Sequence, residues 1–190
     1  MNKLKQYGLL FLVAITSSIS VQAQEMSEHH SIKGNLGVSA VMGHAFIKNR
    51  IDSENKISSA AAFGINANYW VSDKWAVGVH SDLVFENFII EEKKPNEEHR
   101  FLEREYPVSV NAVATYKPIH SLGILAGIGR EFSKEKNLTM FVAGAEYMFN
   151  IPNNWKLGVS AMYEAKRHAY NTFVVGFGIT KLIHLGKHHS

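Results

Sequence analysis

Seven ionisable residues, His80, Asp82, Glu86, Glu131, Glu146, Lys156 and Glu164, fall on the same face of segments whose other face is apolar. Side chains at i and i+2 of a strand point the same way, so His80, Asp82 and Glu86 form one ionisable row. Glu105, Lys117 and Lys166 share that parity. Such a set supports two kinds of chemistry. Opposite charges can pair and plug an interior, since charges withdrawn from water persist when paired. Asp82 and Glu146 could instead pass protons along a gated path. A reversal about Pro152 sets Glu146 opposite Gly158 and diagonal to Lys156, within reach of an interior ion pair.

Nucleophilic catalysis needs a hydroxyl or thiol within hydrogen-bond reach of a base. The candidate pairs are His80-Ser81 and His120-Ser121. Neighbours on a strand face opposite ways, so the first pair cannot cooperate, and the second reads as turn residues. With no cysteine in the chain, a thiolate nucleophile, a thiolate metal site and a disulfide framework are excluded. The expectation is no catalytic residue, no cofactor and no metal. His29-His30 and His184, His188 and His189 flank the chain, and an even-stranded barrel would bring them to one side. They read as solvated tails before they read as imidazole ligands.

These positions imply the elements that hold them. Trp75, Val77, Val79, Leu83 and Phe85 alternate with His80, Asp82 and Glu86. Trp155, Leu157, Val159, Ala161 and Tyr163 alternate with Lys156, Ser160, Glu164 and Lys166. Period two with Val, Ile, Phe, Tyr and Trp is a strand signal. It places strands at about 31–46, 58–71, 75–88, 104–117, 122–132, 137–149, 155–166 and 172–183. A soluble sandwich hides its apolar face and puts most charges outside. Here the polar face is rich in Gly, Ala, Ser and Asn, which suits the narrow interior of a small barrel. The apolar parity holds only Arg130 and Lys181 as strand cations, both near strand ends, as a lipid-facing surface requires.

Residues 1–23 read as a signal peptide: Lys3 and Lys5, an apolar run from Gly8 to Ile15, then Val21-Gln22-Ala23. Cleavage would start the mature chain near Gln24 and leave residues 24–190 as one barrel domain. It would also remove two lysines and no acid, lowering the formal net charge from +3, so the basic balance implies no nucleic-acid partner. Connections near Ser72-Asp73-Lys74, Pro118–Ser121 and Asn150–Asn154 are short. Those at 47–57 and 89–103 are longer and charged, matching periplasmic turns and extracellular loops. Tyr69, Trp70, Trp75, Tyr116, Phe149 and Trp155 bracket the short turns and are expected as a lipid-interface girdle.

The passages Tyr69-Trp70-Val71-Ser72-Asp73-Lys74-Trp75-Ala76-Val77-Gly78, Gly127-Ile128-Gly129-Arg130-Glu131-Phe132 and Val175-Gly176-Phe177-Gly178-Ile179 resemble the small eight-stranded outer-membrane barrels of Gram-negative bacteria, the OmpA-barrel, OmpX and OmpW-like group. The resemblance implies an all-β, eight-stranded antiparallel up-and-down transmembrane β-barrel in the outer membrane with both termini periplasmic. It implies outer-membrane lipid and lipopolysaccharide as surroundings and a role in envelope structure or surface interaction, with loop 89–103 as a possible extracellular contact. A transporter for small or hydrophobic solutes is the alternative, and a lipid-modifying enzyme stands behind it. The chain departs from such proteins by continuing past Ile183 to Ser190 where an aromatic terminus is common.

Overall fold

The structure is a computed structural model that describes residues 31–51, 54–92, 100–167 and 169–185. The expected signal segment, His29-His30, His188 and His189 lie outside the described residues. Eight strands close into an antiparallel barrel: β1 (Asn35–Ile51), β2 (Glu54–Trp70), β3 (Trp75–Val84), β6 (Val108–Ile119), β7 (Leu122–Phe132), β8 (Leu138–Ile151), β9 (Trp155–Lys166) and β10 (Asn171–His184). Each strand pairs with its sequence neighbour in the barrel, and β1 pairs with β10 to shut it. Closure leaves no edge strand, so the backbone bonds of the wall need no water.

Alternation along every strand sorts side chains as the sequence requires. Val77, Val79, Ile128, Phe141, Tyr163 and Phe177 stand exposed outside, while His80, Asn111, Glu131 and Glu164 are buried inside. A large apolar outer surface with a polar lining reverses the order of a water-soluble domain and matches a protein whose solvent is lipid.

The turns fix the register. Ser72 Oγ accepts from the backbone amides of Lys74 (3.3 Å) and Trp75 (3.0 Å), tightening the reversal between β2 and β3. Pro118, which has no N–H to give a ladder, falls within a β-bulge between Tyr116 and Ile119, and β6 then turns through His120-Ser121. At the third turn Asn153 and Asn154 take φ of 64° and 59°, conformations that asparagine tolerates better than most residues. The reversal therefore centres on Asn153, not on Pro152. Glu146 sits opposite Ser160, and Lys156 opposite Asn150, so each pairs two residues along from the expected partner.

Two stretches expected as loops are ordered. Residues 47–51 and 54–57 extend β1 and β2 beyond the barrel wall. Within 89–103, β4 (Phe88–Glu92) and β5 (Arg100–Arg104) form a separate antiparallel hairpin. Its apolar face, Phe88, Ile90 and Leu102, packs with Ile47, Ala60, Leu138, Ala169 and Tyr170. All of these belong to the barrel end opposite the three short turns, so the hairpin folds over that mouth.

Candidate functional site

The candidate site is the barrel interior, built in layers. At the hairpin mouth Glu131 of β7 is the hub. Arg104 of β5, with no exposed surface, donates to Glu131 Oε1 through Nε (3.0 Å) and through a second guanidinium nitrogen. The hydroxyl of Tyr170 donates to Oε2 of the same carboxylate (2.6 Å). Lys166 Nζ lies 3.4 Å from that oxygen, and donates to Glu164 Oε2 (2.6 Å) and Thr172 Oγ1 (2.8 Å). The Lys166 ammonium also sits 4.6 Å from the centre of the Tyr170 ring. Arg104 further donates to the carbonyl of Lys136, whose ammonium pairs with Glu92 of β4. The sequence signalled Glu131, Glu164 and Lys166 by parity, but not Arg104 or Glu92, which only the docked hairpin brings there, nor Tyr170, which comes from the connection between β9 and β10.

The middle layer is split. One wall, from β2, β3 and β6, carries Asn68, His80, Asp82, Ser109 and Asn111. His80 Nε2 lies 3.1 Å from Asn68 Oδ1. The opposite wall is apolar, with Leu125, Met140, Val142 and Met162 packed together. Between them lies a cavity of about 40 Å³, bordered by Asn66, His80, Asp82 and Glu146, room for no more than a few waters.

Glycines make this packing possible. Asn68 and Asn111 lie over the glycines directly across from them, Gly78 and Gly129. A Cβ at Gly78 would meet Asn68 Oδ1 at 2.1 Å, and one at Gly129 would meet Asn111 Oδ1 at 1.9 Å.

At the turn end, Trp70 is 4% exposed and points inward, with the Lys117 ammonium 4.3 Å from its ring centre. The expected place of Trp70 in the outer girdle is thus corrected. Tyr69 is exposed on the outer face, and adjacent strand residues cannot share a face. Trp75, Phe149 and Trp155 are likewise exposed on the outer face at this end. Tyr116 is half-buried, its ring centre 4.8 Å from that of Trp75.

Glu146, Lys117 and Lys156 line a second small cavity above Trp70. Glu146 interacts electrostatically with both lysines, yet no direct ion pair joins it to Lys156 among the described residues, because the two-residue change of register draws the two apart. Glu86 lies past the end of β3 and is exposed, so it does not join the interior set. Glu105 is half-buried at the rim and pairs with Lys134 at 3.2 Å.

His80 and Ser81 point to opposite faces, and His120 Nε2 is 2.9 Å from Asn150 Nδ2 in the neighbouring turn. His184 Nδ1 lies 2.7 Å from Asn35 Oδ1. Among the described residues no three His, Asp or Glu side chains converge as metal ligands would.

Closed eight-stranded topology, an apolar exterior and a side-chain-filled interior define the fold class: this is the architecture of the small eight-stranded outer-membrane β-barrels. No protein-family model matches the chain, and no curated protein matches it in sequence. Among solved structures, it is similar to OprG of Pseudomonas aeruginosa, with 10% identity and a TM-score of 0.54 over 80% of this chain and 97% of that one. It is also similar to Ail, the attachment invasion locus protein of Yersinia pestis, in complex with the heparin analogue sucrose octasulfate. There the identity is 17% and the TM-score 0.50, over 78% of this chain and 99% of that one. These likenesses concern the fold.

Proposed function

We propose that the protein is exported by residues 1–23 and resides in the outer membrane as an integral barrel with periplasmic termini. There it acts in envelope structure or in surface interaction through its extracellular end, with no catalytic role and no open pore. The observation that carries this reading is closure of the lumen at both ends by unlike means. At one end the hairpin seats Ile90 and Leu102 in an apolar cluster and Arg104 on Glu131. At the other, Trp70 lies beneath Lys117. Buried, paired charges hold register more readily than they conduct.

The surface role is supported by the other side of the hairpin, where Ile89, Phe101 and Glu103 are exposed on a rigid support. The sulfated sugar analogue bound by Ail makes anionic polysaccharide the first ligand class to try there. Fractionation of expressing cells tests the location. The mature chain should be in the outer-membrane fraction and migrate differently before and after boiling. A soluble periplasmic protein with no such shift would overturn the reading.

A further inference from the structure

Charge inside the barrel is sorted by height. Toward the hairpin end Asp82, Glu131 and Glu164 accompany Arg104 and Lys166, and Asp82 interacts electrostatically with both Glu164 and Lys166. At the turn end one carboxylate, Glu146, faces two ammonium groups, Lys117 of β6 and Lys156 of β9. The middle layer, with its apolar wall of Leu125, Met140, Val142 and Met162, separates the two groups. The turn end therefore carries one more positive charge than negative, and Glu146 is the carboxylate that bears on either lysine among the described residues.

Both lysines are held where water does not reach them. Lys117 is 2% exposed and Lys156 4%. The Lys117 backbone is fixed by its amide, which donates to the Lys74 carbonyl at 2.8 Å, and its ammonium lies over the Trp70 ring. Among the described residues nothing accepts a hydrogen bond from Lys117 Nζ. The two ammonium groups repel each other. An uncompensated buried charge is costly, so this arrangement calls for a counter-charge.

The small cavity that both lysines border is also rich in donors. An ammonium brings three N–H donors and no acceptor. Ser39 Oγ and Thr180 Oγ1, on the same cavity, bond to each other at 2.8 Å. One hydroxyl hydrogen is used in that bond and the other remains to be given. Asn68 meets His80 Nε2 through Oδ1 at 3.1 Å, which leaves its amide N–H groups as donors. The carbonyls of the wall are engaged in the strand ladder, so lone pairs are what the cavity lacks. Water returns hydrogens along with the lone pairs it offers, whereas an anion supplies lone pairs and the missing negative charge together. The cavity, about 10 Å³, admits one particle close to the size of water. Sulfate, phosphate and carboxylates are too large for it, and a monatomic halide is the anion that fits.

We propose that Lys117 and Lys156, with Asn68 and a hydroxyl of the Ser39–Thr180 pair, bind one chloride ion at the turn end of the lumen. The ion balances the charge that Glu146 leaves open and clamps β6 to β9 across the interior. The site belongs to the barrel interior and is independent of any surface partner.

To test it, the full-length protein is folded in detergent micelles in sodium gluconate, whose anion is too large for the cavity. Chloride then replaces gluconate at constant ionic strength, and the stability of the folded band toward urea is the readout. Above the dissociation constant, one bound ion should raise the folded-to-unfolded ratio by about tenfold for each tenfold rise in chloride. Bromide should act alike and sulfate should not. Crystals soaked in bromide should show an anomalous peak in contact with Nζ of Lys117 and Lys156.

K117M should lose the chloride dependence. E146Q, which removes the competing negative charge, should show it at about tenfold lower chloride. Equal urea midpoints in gluconate and chloride would overturn the site. So would an equal response to sulfate, which would mean general salt screening, or a K117M response equal to that of the wild type. Should K117M not fold, E146Q decides: a response at lower chloride supports the site, and an unchanged or weaker response contradicts it. Bromide peaks confined to the outside of the barrel would contradict it as well.

Discussion

Arg104, on a hairpin strand outside the barrel wall, is bonded to Glu131 inside that wall, and neither side chain reaches solvent. Removing one partner leaves a buried charge without its complement, which costs about 3–5 kcal/mol. R104M should therefore lower the stability of the folded band toward urea by about that amount. E131Q should cost at least as much, because it leaves the buried Arg104 guanidinium without its carboxylate and removes the negative charge beside Lys166. A double-mutant cycle measures the coupling, and additive effects would mean the pair does not hold the hairpin.

Tyr170 gives this latch a pH limit. Burial, and then the neighbouring Glu131 carboxylate, push its hydroxyl well above the ordinary 10.0. The folded protein keeps the proton to higher pH than the unfolded chain, so this contribution is complete below pH 10.0 and is lost as pH rises through the folded value. Y170F should be less stable at neutral pH by about 1.5–3 kcal/mol. It should also lose the part of the alkaline destabilisation that the wild type shows, measured as urea midpoint against pH.

Trp70 and Trp75 separate the two faces of the barrel. Trp70 fills the interior, and W70A should cost about 3–5 kcal/mol as a large-to-small core change. Trp75 lies on the outer face at 51% exposure, and W75A should cost clearly less in phospholipid vesicles. Equal losses would return Trp70 to the outer girdle.

The Asn68–Gly78 contact predicts an asymmetry among glycines. G78A drives a Cβ to 2.1 Å from Asn68 Oδ1 and 2.4 Å from the Ala67 carbonyl, so it should destabilise by about 1–3 kcal/mol. N68A should relieve only part of that, since the carbonyl remains. Full rescue would show that side-chain crowding alone sets the limit.

The fold was legible because its signal is local. Period-two alternation in Trp75–Phe85 or Trp155–Tyr163 needs no knowledge of partners, and a closed barrel turns that alternation directly into inside and outside. Features that depend on three-dimensional docking were not legible. Phe88-Ile89-Ile90 and Phe101-Leu102 are too short for periodicity to distinguish them from apolar residues in a charged loop, and they gain meaning only when β4 and β5 pair over the mouth. Trp70 followed from parity alone, but the aromatic run Tyr69-Trp70 reads as one interfacial cluster until alternation is applied residue by residue. The Glu146 register depended on which residue of the third turn takes positive φ, and Asn153-Asn154 outweigh Pro152.

Single-channel recording in planar lipid bilayers tests the closed lumen most directly, comparing the wild type with I90D/L102D, which places charge in the apolar seat of the hairpin. The wild type should insert without discrete conductance steps, while the variant, with its hairpin expelled, should show them. Steps of equal size and frequency in both proteins would contradict a lumen closed by the hairpin and would favour a small-solute channel.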